Sequence, residues 1–311
     1  MVYYAFVKKD LLSVTDPGPA GAAQLIEEAL VMKQGGMRCL LPWRSVALLF
    51  EKPSLRTRVS FDLAVTQLGG HCLYLSPQEV GLGQREPVED VARVLSRYVD
   101  CIVARVFSHD TLVGLSRSAT VSVINALSDQ EHPCQALADF LTIRERKGRL
   151  KGVRLAYVGD GNNVARSLAL LSAMLGVDFS IASPPGYQLD AATEDNARRL
   201  ASVGGSRVTL TRDPLEAVEG ADVVYTDTWT SMGQEKEAAI RREAFTGFQV
   251  NAAVMSHARP DAVFMHCLPA HHGEEVTSDI LNGESSAVFD QAENRLHVQK
   301  AILAQILIPA D

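Results

Sequence analysis

Short apolar runs alternate along the chain with longer segments whose apolar residues recur at helical spacing. The runs SVALLF (45–50), HCLYL (71–75) and CIVARV (101–106) predict buried strands. Between them, the segments 55–68 and 87–99 carry apolar residues three or four positions apart and predict helices. Strands that alternate with helices of this length predict parallel sheets covered on both faces.

The alternation falls into two sets, and 311 residues are enough for two cores. The first set continues with a helix over 109–118, a strand over 120–127 and a helix over 132–147, which Gly148 ends. The second set has helices over 163–175, 190–202 and 292–307 and strands over 151–160, 178–183, 206–211, 221–229 and 262–269. We therefore predict an α/β protein with two doubly wound parallel-sheet domains, 1–148 and 149–291.

Charge and cysteine usage exclude several classes of partner. A net charge of −7 argues against nucleic acid, which normally requires a basic face. Five cysteines without a C-x-x-C pair indicate neither a disulfide framework nor a zinc ribbon, so we expect a reducing cytoplasm. The first residues show no secretory pattern and no apolar run is long enough to cross a bilayer, so no membrane partner is expected.

A polar, cationic turn follows the first strand directly. In FEKPSLRTRVSF (50–61) the side chains at the start of the predicted helix are Ser54, Arg56, Thr57, Arg58 and Ser60. The unpaired N–H groups and the macrodipole of a helix start favour an anion. This segment therefore predicts a phosphate cradle.

The segment GDGNNV (159–164) matches a dinucleotide-binding loop only in part. Val164 replaces the third glycine of G-x-G-x-x-G, and the next strand lacks the terminal acidic residue that would hold a ribose. The sequence supports two interpretations of this segment equally: a cofactor loop, or a tight turn that binds no ligand. Asn162 and Asn163 place amides at the sheet edge where doubly wound folds bind ligands. A nicotinamide-dependent oxidoreductase would rest on this segment alone.

Three polar residues of the first half are candidates for ligand contacts. In EHPCQALADF (131–140), His132 and Gln135 lie one turn apart at a helix start and can face one ligand. A histidine that only bonds the backbone is the alternative. Arg105 ends an otherwise apolar strand, where it must meet an anion, either a ligand or a structural carboxylate.

Two loops of the second half concentrate polar residues. DTWTSMG (227–233) offers Asp227 for an amine and Ser231 for a carboxylate, as an α-amino acid requires, although an ordinary Asx or Ser turn explains the same residues. MHCLPAHH (265–272) lacks the ligand spacing of common zinc sites, so we expect no metal. Cys267 is either a nucleophile or a thiol that contacts substrate. Arg295, near the start of the last helix, is interpreted as a solvated charge.

Taken together, these segments resemble the ornithine carbamoyltransferase family. FEKPSLRTRVSF resembles its phosphate-loop motif, HPCQALADF its His-Pro-x-Gln helix, DTWTSMG its amino-acid loop and HCLP its cysteine motif, in the family's order. The resemblance implies an amino-terminal domain for carbamoyl phosphate, to which the last helix (292–311) returns, and a carboxyl-terminal domain for L-ornithine. It also implies carbamoyl transfer to the δ-amine of ornithine, no metal or organic cofactor, and a homotrimer or a multiple of trimers.

The resemblance assigns roles by position. Carbamoyl phosphate is assigned to Ser54, Leu55, Arg56, Thr57, Arg105, His132, Gln135, Cys267, Leu268 and Arg295. Ornithine is assigned to Asn163, Asp227, Ser231 and Met232. Of these, Arg105, Thr57 and His132 would stabilise the carbonyl oxygen. Asp227 and Cys267 would manage the proton of the attacking amine.

The sequence departs from the family pattern at a few positions, and rival functions remain. Leu55 stands where many relatives have Thr, and His272 replaces a frequent arginine. In the loop 81–87, which reaches a neighbouring subunit in the family, Gly81 stands in place of the usual glutamine, and the sequence leaves open which of Gly81, Gln84 and Arg85 contacts the ligand. The rivals are carbamoyltransferases for N-acetylornithine, putrescine or aspartate, and a catalytically silent regulatory homologue. The intact DxxxSMG and HCLP segments favour ornithine, and a silent homologue would not need the full ligand set.

Overall fold

The chain forms two compact units in a computed structural model that describes residues 9–35, 39–231 and 233–308. One unit is Met1–Ala138 with Glu293–Asp311, and the other is Asp139–Ala292. The first division falls inside a helix, Pro133–Lys147, rather than after it at residue 148. A sequence pattern shows where a helix ends, so it suggests a domain boundary in the following loop. Contacts between residues distant in sequence instead divide the chain between Ala138 and Asp139, inside the helix. No helix in the described ranges is both long and apolar enough to cross a membrane.

The first unit contains a four-stranded parallel sheet. Its strands are β1 Ser45–Phe50, β2 His71–Leu75, β3 Cys101–Arg105 and β4 Ser122–Leu127, in the order β2-β1-β3-β4. Its helices are α1 Gly18–Gln34, α2 Leu55–Gln67, α3 Pro77–Val80, α4 Val88–Leu95 and α5 His109–Ser118, followed by α6 Pro133–Lys147. Because helices cover the sheet, β3 is buried along its whole length.

Helix α4 is shorter than the predicted 87–99. At its end the Ala92 carbonyl accepts from both the Ser96 N–H at 3.0 Å and the Ser96 hydroxyl at 2.7 Å, a side-chain bond that disfavours continuing the helix. Helix α1 was not predicted from the sequence. Its buried residues Ala22, Leu25, Ile26 and Ala29 follow the i, i+3, i+4, i+7 spacing of an amphipathic helix.

The second unit contains a five-stranded parallel sheet. Its strands are β5 Arg154–Val158, β6 Asp178–Ala182, β7 Val208–Thr211, β8 Val223–Thr226 and β9 Val263–His266, in the order β7-β6-β5-β8-β9. Its helices are α7 Asn163–Leu175, α8 Ala191–Gly204, α9 Pro214–Val218, α10 Ala238–Ala244, α11 Ala252–Met255 and α12 Ser278–Leu281, with a short 3₁₀ helix at Glu235–Glu237. The chain ends in α13, Val288–Leu307.

Each sheet has one point where the chain reverses its direction of winding. The first sheet reverses between β1 and β3, and the second reverses between β5 and β8. Ligands of doubly wound proteins bind at such points, beyond the carboxyl ends of the strands. At these points lie the segments 50–61 and 159–164 and the residues Arg105 and Asp227. The two parallel sheets, whose strands alternate with helices along the chain, confirm the predicted α/β doubly wound fold.

Candidate active site

The start of α2 is held by Ser54 and Thr57. Ser54 is the residue before the helix and has an extended backbone, and its oxygen accepts from the Thr57 N–H at 3.4 Å. Its hydroxyl also donates to Thr57 Oγ1 at 3.0 Å. Leu55 is 76% exposed, so only its main chain is suited to a ligand contact, while Arg56 is half-buried. The helix start therefore has the capped, open geometry that suits an anion.

Two members of the predicted phosphate cradle point elsewhere. The Arg58 guanidinium lies 4.0 Å from the centroid of the Tyr74 ring, and the Ser60 hydroxyl bonds the Thr57 carbonyl at 3.4 Å. Residues two apart on a helix do not face the same direction, so Arg56 and Arg58 cannot share one ligand easily. Including Arg58 and Ser60 in the cradle was therefore wrong.

Arg295 lies in α13 and is buried, with 3% of its surface exposed. Its guanidinium donates to Thr57 Oγ1 at 2.6 Å. The interpretation of Arg295 as a solvated charge was wrong, because residues distant in sequence bury the side chain against the start of α2. The structure thus brings together Ser54, Thr57 and Arg295, all in the first unit.

Arg105 is placed by an irregularity at the end of β3. The strand register shifts between Ala104 and Arg105, so that Arg105 lies opposite Leu127. Such irregularities are common beside active sites, where they redirect a side chain. Arg105 is only 7% exposed at the reversal point of the first sheet.

His132 and Gln135 are both buried at the start of α6, with 4% and 1% of their surfaces exposed. Burial lowers the pKa of His132 well below 6.5, and the positive charges of Arg295, Arg105 and Lys52 lower it further. The His132 ring is therefore neutral near pH 7. A neutral imidazole can donate to a polarised oxygen without adding charge to a cationic group.

Lys52 belongs to the same cationic group, although it was not among the site residues predicted from the sequence. Burial and the neighbouring charge of Arg105 lower the pKa of Lys52 to about 8. Its ammonium lies 4.9 Å from the centroid of the Phe107 ring. Its position in the FEKPS turn was the only available signal. Burial is the larger cause of both lowered pKa values, and the neighbouring positive charges of Arg105 and Arg295 add to it, which a bound anion would offset.

We expect Lys52 to make phosphate binding depend on pH. Since its pKa is lowered, Lys52 loses its charge as the pH rises through about 8, and its attraction for an anion weakens. Calorimetry with inorganic phosphate should show weaker binding at about pH 9 than at about pH 7.5, and a smaller difference for Lys52→Arg, which stays charged. The exposed Lys151→Arg variant is the control. Equal pH dependence in wild type and Lys52→Arg would contradict this expectation.

The GDGNN turn after β5 is filled by protein rather than open to a nucleotide. A side chain at Gly161 would approach the Gln188 carbonyl carbon to 2.4 Å, and the Gly161 N–H donates to the Tyr187 carbonyl at 2.7 Å. The backbone of 187–189 therefore occupies the space above this glycine, which argues against a dinucleotide loop. Asn162 caps α7, and Asn163 is the first, half-buried residue of that helix.

Asp227, after β8, is a buried carboxylate with three donors. It accepts from Asn162 Nδ2 at 2.8 Å, from the Thr228 N–H at 2.8 Å and from Cys267 Sγ at 3.0 Å. The structure thus joins the GDGNN turn, the DTWTSMG loop and the HCLP segment around one negative charge in the second unit. Ser231 is half-buried, and Met232 lies outside the described residues.

Arg241 supports the same loops and was missed in the sequence. It is 6% exposed, and its guanidinium donates to Asp160 Oδ2 at 2.7 Å and to the Trp229 carbonyl at 3.0 Å. Burial raises the pKa of Asp160, while the bond from Arg241 opposes that rise. Its Nε also pairs with Glu237 one helical turn away at 3.2 Å, but Asp160 and the Trp229 carbonyl are 81 and 12 residues away, so local spacing does not reveal this supporting role.

The segment after β9 contains Cys267 and Leu268, both in the second unit. Potential metal-ligand atoms lie within 4.8 Å of one another in two groups of the described chain: Asp227, His266 and Cys267, and His271, Glu274 and Glu275. In the first group Cys267 Sγ already donates to Asp227, and His266 Nδ1 accepts from the Leu268 N–H. These hydrogen bonds occupy the atoms of Cys267, Asp227 and His266 that would otherwise bind one shared metal ion, so they argue against a metal site in the first group.

The loop 81–87 lies beside the end of β1. Together with Phe50, Glu51 and Phe107, Gly81 and Gln84 line a cavity of about 180 Å³. The Arg85 guanidinium donates to the Glu79 carbonyl of the preceding helix α3 at 3.2 Å. His272, the other departure, bonds Ser278 through Nδ1 at 2.9 Å on the protein surface.

Comparison with known proteins agrees with the order of these segments. The family model "Aspartate/ornithine carbamoyltransferase, carbamoyl-P binding domain" matches residues 9–145, and "Aspartate/ornithine carbamoyltransferase, Asp/Orn binding domain" matches residues 151–306. The chain is 53% identical to the ornithine carbamoyltransferase of Bacillus subtilis strain 168 over 299 residues, covering 96% of this chain and 94% of that protein.

Solved structures show the same similarity. The ornithine carbamoyltransferase of Pyrococcus furiosus superposes with a TM-score of 0.94 at 49% identity, covering 99% of this chain and 100% of that one. An acetylornithine transcarbamylase complexed with acetylcitrulline superposes with a TM-score of 0.88 at 33% identity, covering 97% and 100%. The chain belongs to the aspartate/ornithine carbamoyltransferase family.

Proposed function

We propose that this protein is an ornithine carbamoyltransferase. It transfers the carbamoyl group of carbamoyl phosphate to the δ-amine of L-ornithine and releases L-citrulline and phosphate, a step of arginine biosynthesis. The observation that carries the proposal is the concentration of Arg105, Arg295, Lys52 and a neutral His132 beside the capped start of α2. A cationic group at a reversal point of the sheet suits a phosphorylated substrate.

Most of the residues that we propose to bind carbamoyl phosphate belong to the first unit. Arg56, Ser54 and the N–H groups at the start of α2 take the charge that grows on the leaving phosphate. Arg105, Thr57 and His132 stabilise the carbonyl oxygen as negative charge builds on it. Arg295 fixes the Thr57 hydroxyl through its 2.6 Å bond. Gln135 and the main chain of Cys267 and Leu268 orient the carbamoyl NH2 group.

Ornithine is proposed to bind in the second unit. Asp227 pairs with the α-amino group, and Asn163, Ser231 and Met232 complete the contacts. An amine with a pKa of about 10 is mostly protonated at neutral pH, so it must lose a proton before it attacks. Cys267 and Asp227 are 3.0 Å apart and are proposed to manage that proton. No metal or organic cofactor is required for this chemistry.

A second candidate function differs from the first in the amine that accepts the carbamoyl group. The similarity to an acetylornithine transcarbamylase at 33% identity favours N-acetylornithine as the alternative. The 53% identity to a bacterial ornithine carbamoyltransferase and the intact DxxxSMG segment favour ornithine. A free α-amino group suits the buried Asp227 carboxylate better than an acetylated nitrogen, which carries no positive charge.

An acceptor panel tests this proposal. Carbamoyl phosphate is supplied with ornithine, N-acetylornithine, putrescine or aspartate in separate reactions at mildly alkaline pH, and ureido products are measured. We expect citrulline from ornithine alone. Turnover with N-acetylornithine instead would replace the proposed acceptor, and no turnover with any amine would favour a catalytically silent homologue.

The assembly and setting are also proposals. We propose a homotrimer or a multiple of trimers in the cytoplasm, with a urea-cycle role as the alternative setting. Large apolar side chains support association, since Trp43 is 97% exposed, Leu55 76% and Tyr98 74%. Five free cysteines suit a reducing compartment. Light scattering that gave the mass of a single 33.7 kDa chain would exclude the trimer.

A further inference from the structure

The turn after β9 holds a bulky residue in an unfavourable backbone conformation. Leu268 has a φ of +57°, in the left-handed region that side chains with a Cβ rarely adopt. A non-glycine residue in that region is strained and persists only when its surroundings fix it. The groups that fix Leu268 therefore decide the position of the Cys267–Leu268 main chain.

His266 fixes Leu268 through its ring. The Leu268 N–H donates to His266 Nδ1 at 2.9 Å, so Nδ1 acts as the acceptor and carries no proton. In a neutral imidazole the proton must then lie on Nε2. His266 is itself anchored at the end of β9, because its N–H donates to Gln291 Oε1 at 3.0 Å. The ring orientation thus links the strand end to the strained residue.

Glu275 faces the other nitrogen of the same ring. Its Oε1 lies 3.3 Å from His266 Nε2, and both side chains are completely buried. A carboxylate accepts only, so it favours the tautomer whose proton is on Nε2. The same Oε1 accepts from the His271 N–H at 2.5 Å, which fixes the carboxylate in turn. Glu275, His266 and the Leu268 N–H therefore form one continuous chain of hydrogen bonds.

We propose that Glu275 is a positioning residue for carbamoyl transfer: it holds His266 in the Nε2–H tautomer, so that Nδ1 fixes the Leu268 N–H and sets the Cys267–Leu268 main chain. The proposal rests on the proposed function, in which this main chain orients the carbamoyl NH2 group. Glu275 touches no reacting atom and acts only through His266. Outer partners of this kind typically contribute about 10- to 100-fold when they orient a functional ring.

The tautomer is measured first in the unmodified protein. Histidine labelled with ¹⁵N gives distinct signals for the protonated and unprotonated ring nitrogens, and loss of a signal in His266→Asn identifies His266. We expect Nε2 to be protonated and Nδ1 to be unprotonated. A proton on Nδ1 would overturn the proposal without reference to any activity, so its failure is distinct from failure of the proposed function.

Glu275→Gln tests the consequence, because an amide can donate to Nε2 and permits the other tautomer. We expect kcat with ornithine to fall about 10- to 100-fold, the KM for ornithine to stay within about twofold, and the His266 signal to shift. Glu275→Asp keeps the carboxylate and should recover part of kcat and the wild-type tautomer. Unchanged kcat in Glu275→Gln, together with an unchanged tautomer, would overturn the proposal.

Glu274 provides the matched control. It is the adjacent carboxylate, but it pairs with Arg242 Nε at 2.9 Å and not with His266. Glu274→Gln should leave kcat and the His266 signal unchanged. An equal fall of kcat in Glu274→Gln and Glu275→Gln would show a general structural effect and overturn the assignment to Glu275.

Discussion

Arg105→Ala is expected to lower kcat for citrulline formation by about 100- to 1,000-fold, the loss typical for one donor to a developing oxyanion. Arg105 is buried at the end of β3, where the shifted register places it opposite Leu127. Its charge also lowers the pKa of Lys52. In the variant the pKa of Lys52 should therefore rise. Steady-state kinetics and titration of Lys52 by NMR measure both effects.

Two variants separate the role of Arg105 from a general loss of charge. Arg105→Lys keeps the charge but not the forked geometry, so it should remain well below wild type in kcat. Arg58→Ala removes an exposed arginine whose guanidinium lies over the Tyr74 ring, and it should keep kcat within about twofold. Equal activity in wild type and Arg105→Ala would remove Arg105 from the catalytic group.

Asp227→Asn is expected to lower kcat/KM for ornithine by roughly 100-fold, since removing one partner of a buried charge pair costs about 2–5 kcal/mol. The carboxylate accepts from Asn162 through one oxygen and from Thr228 and Cys267 through the other, and an amide in its place would keep only one acceptor oxygen and turn an NH2 group toward the remaining donor or donors. It would also lose the charge that pairs with the α-amino group. Kinetics at varied ornithine concentration measure the change.

The phosphate site provides the internal control for Asp227→Asn. Inorganic phosphate should bind the variant as it binds wild type, because the cationic group lies in the first unit. Cys267→Ser keeps a donor toward Asp227 and should lose less kcat/KM than Asp227→Asn. If Asp227→Asn kept full kcat/KM for ornithine, the assignment of the amino-acid loop would be wrong.

Local patterns predicted the elements that carry the site. The apolar runs 45–50 and 71–75 coincide with β1 and β2, and the helices predicted over 109–118 and 163–175 coincide with α5 and α7. These elements obey local rules of periodicity and capping, which residues close in sequence satisfy. The polar segments that follow the strands were identified for the same reason.

Local patterns failed where a side chain's environment comes from distant parts of the chain. The local sequence predicts a solvated Arg295, but in the structure its side chain is buried and bonds Thr57, 238 residues away in sequence. The local sequence predicts that Arg58 is a phosphate ligand, but its guanidinium lies over the Tyr74 ring. The spacing of Arg241 from Glu237 indicates only a pair on one helix face, yet Arg241 also bonds Asp160 and the Trp229 carbonyl.

By itself, the sequence determined the α/β elements, their parallel arrangement and the segments that follow β1, β5, β8 and β9, because periodicity and helix-start chemistry are local. Only the tertiary structure decided which charges share a site. It placed Lys52 and His132 where burial lowers their pKa values, and it filled the space at Gly161 with the backbone of residue 188. Burial and electrostatic potential depend on the whole surrounding fold, so no local pattern contains them.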